Sequence, residues 1–133
     1  MRLRLSVSVI VLAACLSCRS SIQNHPAYRL PSGKEIKVTS VERMDFPNSD
    51  PALVMNYLTD IPIDDRIALR QEVDEIWRVF QQDIEKAHLK AGVIRANHAE
   101  GGGVVKTVNG YGFVFVKEAD NKWRCLDDNQ PKK

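Results

Sequence analysis

The amino-acid sequence predicts an α+β fold, in which an antiparallel-rich sheet of four to five strands carries one long amphipathic helix packed on one face, in the order β-β-α-β-β(-β). Three observations lead to this class. Several segments alternate apolar and polar residues or are apolar throughout, as strands are. One central stretch repeats apolar residues every three or four positions, as a helix does. Runs rich in Pro, Gly, Asn and Asp separate these segments, and such runs form turns.

The first two predicted strands lie on either side of a turn. The segment KEIKVTSVERMDF, which begins at Lys34, has apolar residues at a spacing of two. PNSDP follows as a strong turn signal. ALVMNYLTDI, residues 52–61, is apolar on both faces for most of its length, as a central strand is. Together these segments predict a hairpin.

The helix is predicted in DDRIALRQEVDEIWRVFQQDIEKAHLKAG, residues 64–92. Its apolar residues make one stripe: Leu69, Val73, Ile76, Trp77, Phe80, Ile84 and Ala87. Asp64 or Asp65 is expected to cap its start. The position at which the helix ends is left open between two alternatives, because either Gly92 or His88 can be the left-handed residue that follows it. Its acidic residues are expected on the solvated side: Glu72, Asp74, Glu75, Asp83 and Glu85.

The remaining strands are predicted in the last third of the chain. GVIRANH is expected to be a strand, EGGG a flexible loop, VVKTV a short strand, and Asn109-Gly110 a tight turn. YGFVFVKE has the strongest strand composition, and ADNK turns into WRCL. Four aromatic residues are expected to pack against Trp77 and Phe80, with a ligand cleft between sheet and helix as the minority alternative: Tyr111, Phe113, Phe115 and Trp123. Because one helix covers only one sheet face, the other face must be polar, shielded by the N-terminal segment, or used for binding.

The N-terminal residues 1–14, MRLRLSVSVIVLAA, have the layout of a secretory signal peptide. Arg2 and Arg4 are the positive region, and the apolar run after them is shorter than the ~20 residues of a membrane-spanning helix. Residues 15–33 are interpreted as a lipid anchor and flexible tether, residues 34–127 as a single α+β domain and residues 128–133 as a polar tail.

Leu12-Ala13-Ala14-Cys15 resembles the lipobox of bacterial lipoproteins. The resemblance implies cleavage before Cys15, a diacylglycerol thioether on its sulfur and acylation of its new amino group, and several acyl chains give lasting attachment. Leu16, rather than Asp, follows the cysteine, so the resemblance favours the periplasmic face of the outer membrane. Lipidation of Cys18, a plain secretory cleavage, and a redox or zinc pair made by the two cysteines are poorer fits.

The other two cysteines leave two alternatives. Cys18 and Cys125 can form a disulfide that closes a loop of about a hundred residues. Alternatively, Cys125 is a small buried hydrophobe in a strand, which is the preferred interpretation because free cysteine is so often buried.

Only one short segment suggests a site for chemistry. His98 and Glu100 lie beside Gly102 in the Gly-rich loop, where they are candidates for contact with a ligand or partner. The segment contains the H-x-E of zinc deaminases without their P-C-x-x-C, so that activity is rejected. We expect no catalytic residue, no metal site and no cofactor.

The charge balance narrows the class of partner. Without Arg2 and Arg4, the chain has 17 basic and 17 acidic residues, so its body is neutral and gives no electrostatic reason to expect nucleic acid. YLTDIPIDD, VDEIWRVFQQDIEKA and the YGFVFVK…W ending loosely resemble small bacterial lipoproteins of unknown function. The expected function is a lipid-anchored, non-enzymatic interaction or binding module of the envelope, with the membrane and another envelope protein as partners. The alternative is a small enzyme or ligand-binding domain that uses His98, Glu100 and their loop.

Overall fold

The computed structural model describes residues 28–100 and 107–129. The described residues form six strands, one α-helix and a short 3-10 helix: β1 Tyr28–Arg29, β2 Glu35–Met44, β3 Ala52–Leu58, α1 Arg66–Lys86, β4 Ala91–Glu100, β5 Thr107–Lys117, β6 Trp123–Cys125 and η1 Leu126–Asn129. The predicted signal peptide, the lipidation site Cys15, the cysteine Cys18 and the loop residue Gly102 lie outside the described residues.

All described strands belong to one mixed sheet, in the order β1-β2-β3-β4-β5-β6. Neighbouring strands are antiparallel, except that β3 and β4 are parallel. The exception follows from the helix, because α1 connects β3 to β4 and carries the chain back to the end of the sheet where β3 began. In this register Leu53 lies beside Gly92 and Leu58 beside Asn97.

The predicted fold class is wrong. The sheet has six mixed strands instead of four to five antiparallel-rich ones, and it curls into a half-barrel with one helix. Each strand contributes a buried residue to the same apolar cluster as α1, from Tyr28 in β1 to Cys125 in β6. A flat sheet of this size would be roughly 24 Å wide, whereas a helix with its side chains spans about 10–12 Å. The outermost strands therefore reach the helix only because the sheet curls around it.

Residues 28–30, which sequence analysis assigned to the tether, belong to the folded domain, and Tyr28–Arg29 form its first strand. Tyr28 pairs with Ile36, and Tyr28 and Leu30 are both buried. The Tyr28 hydroxyl donates a hydrogen bond to Asp83 of the helix. The sheet therefore begins before the predicted start of the domain.

Both ends of α1 are held by specific hydrogen bonds. The Asp65 carboxylate accepts a hydrogen bond from Ala68 N–H at 3.1 Å and caps the first turn. At the other end His88 has a φ of 55°, the left-handed conformation that follows many helices. Its N–H donates to Glu85 O and that of Leu89 to Ile84 O, which is the Schellman pattern. Of the two ends that the sequence left open, the structure has the one at His88.

The Asn109-Gly110 pair lies inside β5 and makes no turn. Asn109 pairs with His98, and Gly110 with Asn97, in the antiparallel ladder with β4. A Cβ atom on Gly110 would lie 2.7 Å from Asn97 Oδ1, so glycine serves here for close approach to a neighbouring side chain. The predicted tight turn is wrong, because the pairing of β4 and β5 extends past it.

The sheet has two faces with different cover. The face that packs on α1, here called the inner face, forms the large core with the buried residues of the helix: Leu69, Glu72, Val73, Ile76, Trp77, Phe80 and Ile84. The opposite face, here called the outer face, has a separate small apolar cluster of Ala52, Val54 and Val93. The α-helix α1 packs on the inner face, whereas the short helix η1 contributes Leu126 to the outer face.

Candidate functional site

His98 and Glu100 lie at the end of β4, where the chain leaves the described residues for the Gly-rich loop. His98 Nδ1 lies 3.0 Å from the carbonyl oxygen of Thr59. A carbonyl oxygen only accepts, so Nδ1 must carry the proton of this hydrogen bond. Glu100 is exposed and accepts a hydrogen bond from Asn109 Nδ2 at 3.1 Å. Both side chains are thus engaged in contacts that hold the ends of β3, β4 and β5 together.

A buried carboxylate lies on the other side of Thr59. Glu72, in the middle of α1, is only 7% exposed. Its Oε1 accepts hydrogen bonds from Thr59 Oγ1 at 2.6 Å and from Tyr57 Oη at 3.0 Å, and its Oε2 accepts from Lys34 Nζ at 2.5 Å. Sequence analysis placed Glu72 on the solvated side of the helix, and the structure contradicts that.

The electrostatics of this cluster favour an ionised Glu72. Burial alone would raise the pKa of its carboxyl, but hydrogen bonds from Lys34, Thr59 and Tyr57, together with the Lys34 charge, outweigh it and hold the pKa below its usual value. The pKa of Tyr57 is raised by burial and by the negative charge and hydrogen bond of Glu72. A carboxylate with three donors has its acceptor sites well satisfied, so the cluster ties α1 to β3 and offers no base.

The described residues provide no third ligand near His98 and Glu100. Across residues 28–100 and 107–129, no three His, Cys, Asp or Glu side chains are placed to hold one metal ion. Cys125 is buried at 3% exposure in β6, and its predicted disulfide partner Cys18 lies outside the described part of the chain. The disulfide therefore stays a prediction.

An open groove lies on the outer face. It has a volume of about 430 Å³ and is lined by residues of β3, β4, β5 and η1, of the segment between β2 and β3, and of the position before β4: Phe46, Ser49, Asp50, Ala52, Lys90, Ala91, Val93, Val114, Val116, Lys117 and Leu126. Its floor is made of Ala and Val residues that point away from α1. Phe46 and Leu126 stand at its edge with 37% and 41% of their surface exposed. We call this feature the outer groove.

The strand register explains why the outer groove is apolar. A Cβ on Gly92 would meet Ile84 and Trp77, so Gly92 faces the helix and its neighbours Ala91 and Val93 face outward. In β5, Phe113 and Phe115 belong to the inner core, and Val114 and Val116 therefore face outward as well. These central strands are apolar on both faces.

A second depression, of about 290 Å³, lies at the start of α1. The Arg66 guanidinium stacks on the Tyr111 ring at 3.5 Å, and Arg70 donates to Asp74 at 2.8 Å. The pKa of Tyr111 is raised by burial and by its hydrogen bond with Asp127. Acidic and basic side chains therefore lie close together in this depression, and their charges offset one another.

Comparison with protein-family models, with curated proteins and with solved structures gave no match for this chain. Among the described residues, no helix is long and apolar enough to cross a membrane.

Sequence analysis missed the Glu72 cluster, and for the outer face it left binding as one of three alternatives without locating the groove; signals for both were present. Glu72 lies three residues after Leu69 and four before Ile76, which is within the apolar stripe. For the groove, the signal was that β3 and β5 are apolar at both parities while only one helix was predicted. Neither signal identifies which side chains meet.

Proposed function

We propose that this protein is a lipid-anchored, non-enzymatic binding module of the cell envelope, and that it binds through the outer groove. The observation that carries the proposal is an apolar groove on the sheet face opposite α1, bordered by the segment between β2 and β3 and by η1. Apolar patches left open on a soluble domain commonly mark binding sites. The polar clusters of the inner face have their hydrogen bonds made within the fold, which suits a structural role.

The membrane attachment is supported by the sequence alone. Leu12-Ala13-Ala14-Cys15 resembles a lipobox, and the first strand begins at Tyr28, so the chain has 12 residues between Cys15 and the sheet. A segment of that length, rich in Ser and containing Pro26, is suited to hold the domain away from a lipid surface. Leu16 after the cysteine favours the outer membrane.

Labelling with palmitate tests the anchor. Cys15→Ser should abolish incorporation and leave the precursor uncleaved or released as soluble protein, whereas Cys18→Ser should keep the label. Incorporation that persists in Cys15→Ser and disappears in Cys18→Ser would move the anchor to Cys18.

Capture from envelope fractions tests the binding face. We expect the intact lipidated protein to retain a specific component, and Ala91→Leu, which fills the floor of the outer groove, to lose it. His98→Ala is the matched control and should capture as the natural protein does. Loss with His98→Ala and retention with Ala91→Leu would contradict the proposal.

The alternative is an enzyme or ligand-binding domain at the Gly-rich loop, and it predicts that His98 and Glu100 are needed to bind a ligand. One observation keeps it in view: His98 uses Nδ1 for Thr59, which leaves Nε2 as the ring atom for an outside partner. A metal-content screen and calorimetry on His98→Ala and Glu100→Ala test it. Stoichiometric binding of a transition metal, lost in both variants, would replace the non-enzymatic proposal.

A further inference from the structure

Most of one edge of β2 has no strand beside it. β2 runs from Glu35 to Met44, but β1 pairs only with its first two residues, Glu35 and Ile36. From Lys37 to Met44, no strand that the structure describes pairs with β2 on the side away from β3. We call this stretch the open edge. A strand edge of this kind presents backbone N–H and C=O groups that can pair with another chain.

The ladders on β3 show which residues of β2 point these groups outward. Thr59 N–H donates to Asn97 O at 2.9 Å, so the backbone groups of Thr59 point to β4, and those of every second residue before Leu58 point to β2. The residues of β2 opposite this second set are Lys37, Ser40, Glu42 and Met44. Val41 and Arg43 lie between them, and their N–H and C=O groups therefore point away from β3, at the open edge.

The sequence upstream of β1 is poorly suited to fill the open edge. Leu30 N–H donates to Lys34 O at 2.8 Å, and Tyr28 is the next residue of β1 that is placed to exchange hydrogen bonds with β2. If β1 continued along the open edge, Pro26 would come next in this alternation. A proline has no N–H to donate, so the ladder would lose a hydrogen bond at its first added position.

A second copy of the chain also fits the open edge poorly. An antiparallel pair that matches Val41 with Arg43 of the copy puts the two Glu42 side chains opposite each other, and one that matches Arg43 with itself puts two guanidinium groups opposite each other. Matching Val41 with itself brings the irregularity between Val38 and Ser40 into the ladder. Charges and bulges are the devices by which natural edges prevent unselective pairing. They leave this edge to a strand of complementary sequence.

The side chains of the open edge define that sequence. Glu42 is exposed and makes no ion pair within 4.0 Å with a described side chain. Arg43 Nε lies 3.4 Å from Asp45 Oδ1, in a pair whose side chains are both exposed. On either side of these charges, Val41 packs against the large core and Met44 against the outer cluster, and both are half-buried. A matching strand has a base opposite Glu42, an acid opposite Arg43, and apolar residues flanking this pair.

We propose that the open edge binds an extended segment of a partner polypeptide, which adds an antiparallel strand to the sheet beside β2. Backbone hydrogen bonds with Val41 and Arg43 supply affinity, and the charges of Glu42 and Arg43 select the sequence of the segment. This inference goes beyond the proposed function, because it concerns the edge of a strand and not the outer groove.

A pair of fluorescent peptides tests the inference. The first is the blocked hexapeptide Thr-Leu-Glu-Lys-Val-Thr, whose Glu and Lys fall opposite Arg43 and Glu42 when its Val lies opposite Val41. The second, Thr-Leu-Lys-Glu-Val-Thr, has the same composition with the two charges exchanged. Anisotropy with the intact lipidated protein in detergent should show saturable binding of one copy of the first peptide per chain. The second should bind about tenfold more weakly, since both charge pairs become repulsive.

Variants of Arg43 test the backbone pairing. Arg43→Pro removes an N–H that points out at the open edge, so the domain should stay folded while peptide binding is lost. Arg43→Gln is the matched control, because it keeps the N–H and loses only the charge, and it should still bind measurably.

Methylated peptides make the same test without changing the protein. N-methylation of the peptide's Glu, whose N–H faces β2, should abolish binding. N-methylation of its Lys, whose N–H faces away, should not. This comparison decides the question even if Arg43→Pro does not fold.

Several results would overturn the inference: no saturable binding of the first peptide, equal affinity for the two peptides, or equal effects of the two N-methylations. Sedimentation of the intact protein gives a further one, because a dimer that Arg43→Pro dissociates would make a second copy the occupant of the open edge. None of these results bears on capture through the outer groove, which Ala91→Leu tests separately.

Discussion

The inner and outer faces of this sheet are built from the same strands, yet they differ in the size of the apolar cluster that each forms. On the inner face, Met55, Tyr57 and Ile94 have no exposed surface because α1 packs over them. On the outer face, Ala52, Val54 and Val93 are buried as well, but this cluster is much smaller, and it is bordered by half-buried side chains and an open groove. The inner face therefore contains most of the apolar core, and the outer face has the groove through which we propose that the protein binds.

Polar groups show the same division. The inner face contains a buried charge, Glu72, and three donors from Lys34, Tyr57 and Thr59 satisfy it. Lys90, which lies at the edge of the sheet just before β4, is exposed and forms no ion pair with a described carboxylate. Inside the core a charge is kept only when partners compensate its desolvation. At the surface a charge needs no such partner, because water solvates it.

The largest effect is expected at the centre of the inner face. Trp77 stacks on Phe115 with 3.9 Å between ring centroids and packs edge-on against Trp123. Trp77→Ala should lower the free energy of unfolding by about 3–5 kcal/mol, because it leaves a large cavity. Urea unfolding measures this, with exposed Arg78→Ala as the control. A loss below about 1 kcal/mol, typical of surface sites, would show that the inner face is not the main source of stability.

The buried carboxylate comes next. Glu72→Ala removes the acceptor of two buried hydroxyls, Tyr57 Oη and Thr59 Oγ1, and should cost about 2–3 kcal/mol. Gln71→Ala, at the exposed position just before it, should change stability by less than about 0.5 kcal/mol. Equal values for the two variants in the same urea series would mean that the cluster contributes nothing specific.

Close packing between α1 and β4 gives a third comparison, between two glycines of the sheet. A Cβ on Gly92 would lie 2.2 Å from Ile84 Cδ1, whereas a Cβ on Gly112 would meet its nearest atom at 3.7 Å. Gly92→Ala should therefore cost about 1–3 kcal/mol through overpacking. Gly112→Ala should be neutral or slightly stabilising, since glycine weakens a strand interior. Thermal unfolding measures both variants, and a lower melting temperature for Gly112→Ala than for Gly92→Ala would contradict this prediction.

Acid should reveal the ionisation of Glu72. Its pKa is lowered in the folded state, so its stabilising contribution is complete above the unfolded pKa, near 4.5, and is lost as pH falls through the folded value. Glu72→Gln should therefore show a shallower loss of stability on acidification than the natural protein. Parallel slopes in unfolding free energy between pH 6 and pH 3 would count against an ionised, hydrogen-bonded Glu72.

The smallest effect on stability is expected in the outer groove. Ala91→Leu adds bulk to an open surface and should change the free energy of unfolding by less than about 0.5 kcal/mol. The variant should nevertheless abolish the capture of an envelope component through the outer groove. A large loss of stability in this variant would mean that the outer face is packed as tightly as the inner one, and the division between them would fail.

Part of the fold follows from local sequence patterns. The stripe from Leu69 to Ile84 indicated the helix face that is buried, because side chains three and four residues apart share a face whatever surrounds them. Alternation in YGFVFVK likewise marked Phe113 and Phe115 as one face of a strand. These are short-range properties of the backbone, and they need no knowledge of distant partners.

The site was less accessible from the sequence. Sequence analysis named His98 and Glu100 as candidates because of their residue types. Their contacts with Thr59 and Asn109 could not be predicted, because they depend on how separate strands pair. Glu72 was assigned to solvent because a carboxylate is usually exposed, and only its three donors make burial favourable. The outer groove needs the register of β3, β4 and β5 before its lining residues can be named.

The sequence by itself determined where the helix and most strands lie and which of their residues are apolar. Only the tertiary structure decided that β3 and β4 are parallel neighbours, that the sheet curls around α1, and that Asn109-Gly110 continues β5. The physical reason is the distance along the chain over which the deciding interactions act. Periodicity is set by the geometry of a few consecutive residues, whereas pairing, curvature and the cover of each face depend on contacts between residues that are far apart in the chain.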